Sequence, residues 1–199
     1  MAERATSAGQ SVECISADAF KQAMRRLAAG VTIVTTRHNG VRGGLTATAV
    51  CSLSTDPPQL LVCVNRSAAA HELIAEGENL CVNLLAHKHH GLAARFAGQS
   101  GVLGAERFRA GRWKTLKTGA PVLEDALASF DCVVTEKVAA STHTIFIGRV
   151  VDVHLRTNGK PLLYAQGTFA IAKALAARRK RRNAQARRAK AAEKAAKRA

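Results

Sequence analysis

Residues that could bind a flat ring and a phosphate cluster in one run, GGLTATAVCSLSTDPPQLLVCVNRSAAAHELI, from Gly43 to Ile74. Hydroxyl-bearing and small apolar residues alternate in its first part, which lets a planar ligand lie close to the backbone. A Pro-Pro turn follows, and then a polar corner whose side chains are typical of phosphate contacts. By itself, the alternation is also common in strands whose Thr and Ser face solvent. The residues with this potential are Leu45, Thr46, Ala47, Thr48, Ala49, Ser52, Ser54, Asn65, Arg66 and Ser67.

Helix and strand signals predict the elements that position this run. A helix is predicted for SADAFKQAMRRLAAG, with Ser16 or Asp18 as its cap and Gly30 as its end. Strands are predicted for VTIVTTR, for LTATAVCSLS after the Asn39-Gly40 turn, for LLVCVN and for NLCVNLL. Two short helices are predicted for AAAHELIAEG and HKHHGLAARFAG.

The second half of the chain predicts further strands. A loop is expected from Gln99 to Pro121, followed by two long strands, ALASFDCVVTEKVAA and HTIFIGRVVDVHL, and a last short strand, PLLYAQGTF. Because adjacent strands are joined by short turns, the pattern favours an antiparallel barrel with helices covering its ends. The Gly43-Gly44 pair lacks the GxGxxG spacing and the following helix, so a Rossmann domain is not expected.

Length and charge predict one domain with two extensions. The 199 residues are 47% hydrophobic and carry a net charge of +16, which suits a single core. Residues 173–199 hold 12 Lys/Arg and one acidic residue, so the tail accounts for +11 of that charge. We expect a mobile N-terminal segment at residues 1–15, a domain at 16–172 and a basic tail at 173–199.

Cysteine usage and hydropathy predict a cytoplasmic protein. The five cysteines form no CxxC pair, and four lie in apolar, strand-like stretches where a thiol is a small buried hydrophobe. No apolar run approaches the ~20 residues of a membrane helix, and the N-terminus has no apolar signal core. No metal site is expected, because His87, His89 and His90 have no Cys or carboxylate at a ligand spacing.

The order of motifs in this chain resembles that of the short-chain flavin reductases, the small components of two-component flavin monooxygenases. The likeness covers roughly residues 17–170. ARFAG, at Ala94–Gly98, resembles the family's helix whose Arg-Phe lies against the flavin, and THTIFIGRV resembles its second cofactor segment. The central motifs read Gly44-Leu45-Thr46-Ala47-Thr48, then Ser52-Leu53-Ser54, then Pro57-Pro58, then a strand ending at Asn65.

The resemblance implies a mainly β protein, a split antiparallel β-barrel with flanking helices that forms a homodimer. FMN or FAD would lie in a groove of this barrel, with Arg66 as a candidate for the phosphate; a solvated surface Arg is the alternative. Asn83 could lie near the site or face a turn, and Tyr164 could pack on the site or anchor the last strand. The implied flavin-binding residues are Thr46, Ala47, Thr48, Ser52, Leu53, Asn65, Arg66, Ser67 and Phe96.

His143 is the residue that the resemblance assigns to the nicotinamide. The family commonly has Gly-Asp-His before this strand, whereas this chain has Ser141-Thr142-His143. A neutral histidine there could stack on, or hydrogen-bond to, the nicotinamide of NADH or NADPH. A surface histidine at a strand start is the alternative. No catalytic acid or base is expected, because hydride transfer between two bound rings depends on proximity and orientation.

Two functions follow. The first is an NAD(P)H:flavin oxidoreductase that supplies reduced FMN or FAD to a partner monooxygenase. The alternative is a non-catalytic flavin-binding split-barrel protein whose basic tail binds nucleic acid or an acidic partner by charge. The residues leave open FMN against FAD, NADH against NADPH, and the identity of the oxygenase.

Overall fold

The structure, a computed structural model, describes residues 13–173. It is built mainly from antiparallel strands with short helices around them. The helices are α1 (Ala17–Met24), α2 (His71–Gly77) and α3 (His90–Phe96), with 3-10 turns at His87–His89 and Gly104–Arg109. The strands are β1 (Ala29–Gly30), β2 (Thr32–His38), β3 (Val41–Ala47), β4 (Val50–Thr55), β5 (Pro58–Asn65), β6 (Asn79–Leu84), β7 (Trp113–Thr115), β8 (Pro121–Leu123), β9 (Ala128–Ala140), β10 (His143–Leu155), β11 (Leu162–Ala165) and β12 (Thr168–Ile171).

The main sheet has seven strands in the order β3-β2-β6-β9-β10-β5-β4. Its two edge strands, β3 and β4, are consecutive in the chain and are joined only by Thr48 and Ala49. Three residue steps span at most about 11 Å, so the sheet must curl until its edges approach each other. The Cys63 N–H on β5 donates to the carbonyl of Ala49 at 3.0 Å, just where the chain crosses. The sheet is therefore a split barrel, as expected.

The prediction of one strand for LTATAVCSLS was wrong. The chain leaves the sheet at Thr48, because β3 pairs with β2 at one edge whereas β4 pairs with β5 at the other. Hydropathy cannot reveal this break, since small, apolar and hydroxyl-bearing residues continue on both sides of it. The crossing leaves Thr48 and Ala49 exposed.

Two other boundaries also differ from the prediction. PLLYAQGTF is not one strand but the hairpin β11–β12, whose turn holds Gln166 and Gly167 at φ of 53° and 80°. The first helix begins after Ser16, whose side chain caps the Ala19 N–H, but it ends at Met24. It stops short of Gly30 because β1 pairs in extended conformation with β11.

The loop expected at 99–121 contains a 3-10 turn and β7, which pairs with β8 in a small two-stranded sheet. Between this segment and the barrel lies a cluster of apolar side chains that includes Phe96, Phe108 and Leu123. A second cluster fills the barrel, with Val62, Phe146 and Ile74 among its fully buried members. Across residues 13–173, no helix is long and apolar enough to span a membrane.

Candidate functional site

The Asn65–Ser67 corner is a closed polar turn at the end of β5. The Asn65 side-chain oxygen accepts hydrogen bonds from the Ser67 N–H and from the Ser67 hydroxyl, both at 2.9 Å. Such an Asx turn fixes the local backbone without help from other elements. The three side chains are exposed, and no carboxylate within residues 13–173 forms a salt bridge with Arg66. The corner therefore exposes an unneutralised cation, Arg66, which can bind an anion, and a Ser67 hydroxyl that could donate to an anion only by turning away from Asn65.

The tip of the β9–β10 hairpin lies directly beside this corner. His143 is paired with Asn65 across the antiparallel β10 and β5 strands, and the Arg66 N–H donates to the carbonyl of Thr142 at 3.0 Å. Thr142 Oγ1 lies 2.9 Å from His143 Nδ1. A hydrogen bond between these atoms orients the ring and leaves the other nitrogen, Nε2, for a ligand.

The crossing between β3 and β4 brings the first motif to the same region. The Ala49 carbonyl bonds to Cys63, two residues before Asn65, which is about 7 Å along an extended strand. Thr48 and Ala49 are exposed there, whereas Ala47 is buried in the core. The hydroxyl of Thr46 donates to the Ala93 carbonyl of α3 at 2.7 Å, so it holds α3 in place.

A groove with a volume of about 490 Å³ extends from this crossing towards α1. Phe20 and Met24 of α1 provide an apolar wall, and Lys21 and Arg25 provide positive charge. Tyr164 on β11 lines the same groove and packs edge-to-face on Phe169, with ring centroids 5.7 Å apart. Tyr164 and Thr48 therefore line the same groove.

Ser52 and Leu53 lie further along β4. Ser52 pairs with Leu60, about 16 Å along β5 from Asn65. A bulge between Ser52 and Ser54 leaves Leu53 unpaired and 47% exposed. Ser52 and Ser54 line a separate, largely apolar cavity of about 410 Å³ against β6, β9 and β10. A single ligand must extend along β4 to touch both these residues and the Asn65–Ser67 corner.

Phe96 is not at an open surface. It is 1% exposed, and its ring packs edge-to-face on Phe108 with centroids 5.0 Å apart. A Cβ added at Gly44 would lie 2.8 Å from Phe96 Cε1, so glycine is what lets the ring pack against β3. Phe96 can therefore support the site from behind β3, but a ligand could contact it only if the neighbouring side chains moved.

Two side chains that the sequence did not single out hold these parts together. Arg107 Nη1 donates to the carbonyl oxygens of Gly44 and Phe96, at 3.2 and 3.3 Å, and so fastens the 99–112 segment to β3 and α3. His71 Nε2 lies 2.8 Å from Thr144 Oγ1 and joins α2 to β10. A histidine inside the predicted helix AAAHELIAEG was the only available signal for this contact.

Other polar residues have structural partners. Asn83 is fully buried and binds Leu123 N–H and the Ser129 hydroxyl through its side-chain oxygen, both at 2.8 Å, so it is a core residue and not part of the site. His89 Nε2 lies 3.1 Å from Asp125 Oδ1. Within residues 13–173, no three His, Cys, Asp or Glu side chains are grouped so that they could hold a metal ion.

All five cysteines are free thiols, but their environments differ. Cys81 and Cys132 are buried, as expected, whereas Cys51 is exposed on the edge strand β4. Burial, and secondarily the nearby charge of Asp131, raises the pKa of the Cys132 thiol to about 12 and that of Cys81 well above its usual value. Neither buried thiol can ionise near neutral pH, which excludes both as nucleophiles.

Comparisons with known proteins agree with this architecture. The sequence profile of the flavin reductase like domain matches residues 24–173. A relative from Agrobacterium fabrum (strain C58), named FMN reductase (NADH) RutF, is 47% identical over 152 residues, which are 76% of this chain and 86% of that protein.

Two solved structures have the same fold. The native-state flavin reductase PheA2 superposes with a TM-score of 0.74 at 34% identity, over 80% of this chain and 100% of that one. BorF, the flavin reductase component of a bacterial two-component tryptophan halogenase, superposes with a TM-score of 0.74 at 29% identity, over 80% and 99%.

Proposed function

This chain belongs to the flavin reductase like family, and from that premise we propose that it is an NADH:flavin oxidoreductase. The observation that carries the proposal is the meeting of three segments, the Thr48-Ala49 crossing, the Asn65–Ser67 corner and His143, at one end of the split barrel. They combine small exposed residues with a hydroxyl, a cation and a histidine. A flavin ring can lie on the small residues, its phosphate can bind the hydroxyl and the cation, and a nicotinamide can contact the histidine.

The residues at the corner fit a flavin phosphate. The exposed Arg66 side chain would bind its oxygens, and so would the Ser67 hydroxyl after it turns from Asn65 to the phosphate. The small residues around Thr48 leave room for the ring beside the backbone. When bound, the flavin ring would accept a hydride from the reduced nicotinamide. His143 would orient the nicotinamide, and the apolar groove beside α1 would exclude water from the two rings.

We propose FMN as the flavin and NADH as the reductant. The supporting observation is the name of the Agrobacterium relative, FMN reductase (NADH), at 47% identity. The chemistry at the corner also supports FMN, because one hydroxyl and one guanidinium suffice to bind the phosphate of a mononucleotide. FAD and NADPH are the alternatives that the experiment below compares.

Reduced flavin would pass to a separate flavin-dependent oxygenase. BorF, a neighbour in fold, is the reductase component of a two-component halogenase, which supports a similar division of labour here. We further propose that the chain forms a homodimer, because Phe20, Met24 and Leu27 each expose about half of their surface or more. Free thiols at all five cysteines support a cytoplasmic location.

The domain at residues 16–172 would carry this activity. The basic tail, most of which lies outside the described residues, would be dispensable for it. The tail's charge of +11 favours a second function, attachment to nucleic acid or an acidic partner through phosphate or carboxylate contacts. Of the predicted extensions, 1–15 and 173–199, the structure describes only residues 13–15 and Lys173.

The test is steady-state oxidation of NADH and NADPH by the full chain, with and without added FMN or FAD. We expect NADH oxidation that depends on added flavin and is faster with FMN than with FAD. Flavin binding without turnover by either nicotinamide would instead support the non-catalytic alternative, with the tail as the working part.

A further inference from the structure

A partly buried hydrogen bond lies beneath the candidate site and is used by none of the contacts proposed above. His71 Nε2 and Thr144 Oγ1 are 2.8 Å apart, and the His71 side chain is 13% exposed. Its ring packs on Phe146 with centroids 5.4 Å apart and an interplanar angle of 61°. The histidine is thus fixed to β10 by one polar contact and one aromatic contact, and its Nδ1 lies 3.7 Å from the exposed carboxylate of Glu72.

The chain leaves β5 through the polar corner and contacts the sheet again at His71. The chain from Asn65 to His71 consists of two successive turns, in which the Ala68 N–H donates to the Asn65 carbonyl and the His71 N–H to the Ala68 carbonyl, at 3.0 and 2.8 Å. At its start the corner is tied to the turn just before β10 by the Arg66–Thr142 backbone bond. The His71–Thr144 bond ties its end to β10 itself.

The two anchor points, Thr142 in the hairpin turn and Thr144 on β10, flank His143. Successive side chains of a strand point to opposite faces, so Thr144 faces the core with Phe146 while His143 lies on the other face. His71 therefore contacts the back of the strand segment that carries His143. It touches the framework of the site rather than the surface that would meet a ligand.

We propose that His71 is a positioning residue, whose bond to Thr144 holds the Asn65–Ser67 corner at a fixed place relative to His143. This inference rests on the proposed function, because it assigns the corner to the flavin phosphate and His143 to the nicotinamide. β10 is held on both sides by β5 and β9, whereas the corner is an exposed turn. Loss of the bond therefore releases the corner, and flavin binding suffers more than nicotinamide binding.

Two substitutions remove this bond from opposite sides. His71→Phe keeps a ring against Phe146, and Thr144→Val keeps the shape of the buried threonine. We expect each to raise the KM for flavin about 3- to 10-fold, the range that one ordinary hydrogen bond supports. The KM for NADH should stay within about two-fold of the wild-type value. The double variant should be no worse than the worse single variant, because both changes delete the same bond.

Two further variants separate positioning from general destabilisation. Ser129→Ala removes another buried hydrogen bond, to Asn83, and should lower the melting temperature without changing the KM for flavin. His71→Gln places an amide nitrogen near the position of Nε2 and should restore part of the affinity. Should His71→Phe fail to fold, Thr144→Val and His71→Gln carry the comparison.

The proposal is overturned if Thr144→Val leaves the KM for flavin unchanged, if Ser129→Ala raises it as much, or if the two single effects add in the double variant. Dissociation constants for FMN, measured by fluorescence quenching on the same proteins, keep this test separate from the proposed function. If the wild-type chain binds FMN without oxidising NADH, the proposed function fails, yet the same pattern of dissociation constants still supports or refutes the role of His71.

Discussion

Single side chains of the proposed site divide into those that would face a ligand and those that hold the surrounding elements in place. Ser67 and His143 belong to the first kind, since they lie at the exposed end of the barrel. Thr46, Phe96 and Arg107 belong to the second, because their contacts are with α3, β3 and the 99–112 segment. A substitution of the first kind should change kinetics at constant stability, and one of the second kind should change stability.

Replacement of His143 by alanine tests the first kind. We expect the KM for NADH to rise about 5- to 10-fold, because one oriented hydrogen bond or ring contact is lost, with a smaller effect on the KM for flavin. Steady-state kinetics with each substrate varied would measure both constants. His87→Ala is a suitable control, since His87 is exposed on the 3-10 turn before α3. Unchanged NADH constants in the His143 variant would refute its assignment to the nicotinamide.

Replacement of Gly44 by alanine tests the second kind. The new Cβ would lie 2.8 Å from Phe96 Cε1 and 3.1 Å from the Val34 carbonyl oxygen, so the buried ring must shift. We expect a loss of about 1–3 kcal/mol in the free energy of unfolding, as for other overpacked cores, measured by urea titration. Gly91→Ala on α3 is the matched control, because nothing lies within 4 Å of its added Cβ. Equal stability of the two variants would contradict this packing.

Among the elements, the connection of β3 to β4 does the most to form the site. It carries the chain from one edge of the seven-stranded sheet to the other, and so brings Thr48 close to the strand that ends in Asn65. Composition predicted extended structure on both sides of the crossing, but as a single strand. The Asn39-Gly40 turn predicted the β2–β3 hairpin, and two adjacent long strands predicted the β9–β10 hairpin. The crossing could not be predicted from period or propensity, because it depends on which strands pair in three dimensions.

The same limit applies to Ser52, Phe96 and Asn83. The order of motifs placed Ser52 with Asn65, but Ser52 on β4 pairs with Leu60, so it lies far from the end of β5 that carries Asn65. The resemblance placed Phe96 against the flavin and left Asn83 near the site or at a turn, whereas both side chains are buried in the core. By contrast, the Asn65–Ser67 turn could be predicted, because its hydrogen bonds are local.

The 3-10 turn before α3 is joined to the turn after β8 by an ion pair. Partial burial raises the pKa of Asp125, but hydrogen bonds and charge from Lys88 and His89 outweigh it and lower the pKa to about 2. A depressed carboxylate pKa stabilises the folded state above the unfolded pKa, near 4, and this stabilisation is lost as the pH falls towards 2.

Replacement of Asp125 by asparagine should therefore cost about 1–2 kcal/mol at pH 6, after allowance for solvent screening. The cost should shrink as the pH is lowered from 4 to 2. Urea titrations across this range would measure it, with Asp18→Asn, at an exposed pair on α1, as the control. A cost that is independent of pH would show that the Asp125 charge does not stabilise the fold.

On the scale of the whole molecule, most of the positive charge lies after the last strand of the domain. The last strand ends at Ile171, and the tail from Lys173 carries +11 of the chain's +16. A chain that ends at Ala172 should keep flavin-dependent NADH oxidation within about two-fold of the full chain. It should lose any salt-sensitive binding to DNA, which follows from phosphate neutralisation. Electrophoretic shift at two salt concentrations, together with the activity assay, would test both parts, and loss of folding would show that the tail is structural.

The most direct test of the whole account is flavin-dependent NADH oxidation by the wild-type chain and by Thr48→Trp. Thr48 is exposed at the crossing of the barrel's edges, so an indole should fill the proposed flavin surface without disturbing the core. Thr115→Trp, at an exposed position on β7, is the control. We predict that wild type and Thr115→Trp oxidise NADH only when flavin is added, and that Thr48→Trp folds with an unchanged melting temperature but requires at least about ten-fold more flavin. Full activity of Thr48→Trp at the wild-type flavin concentration, or NADH oxidation by the wild type that does not depend on flavin, would contradict the account.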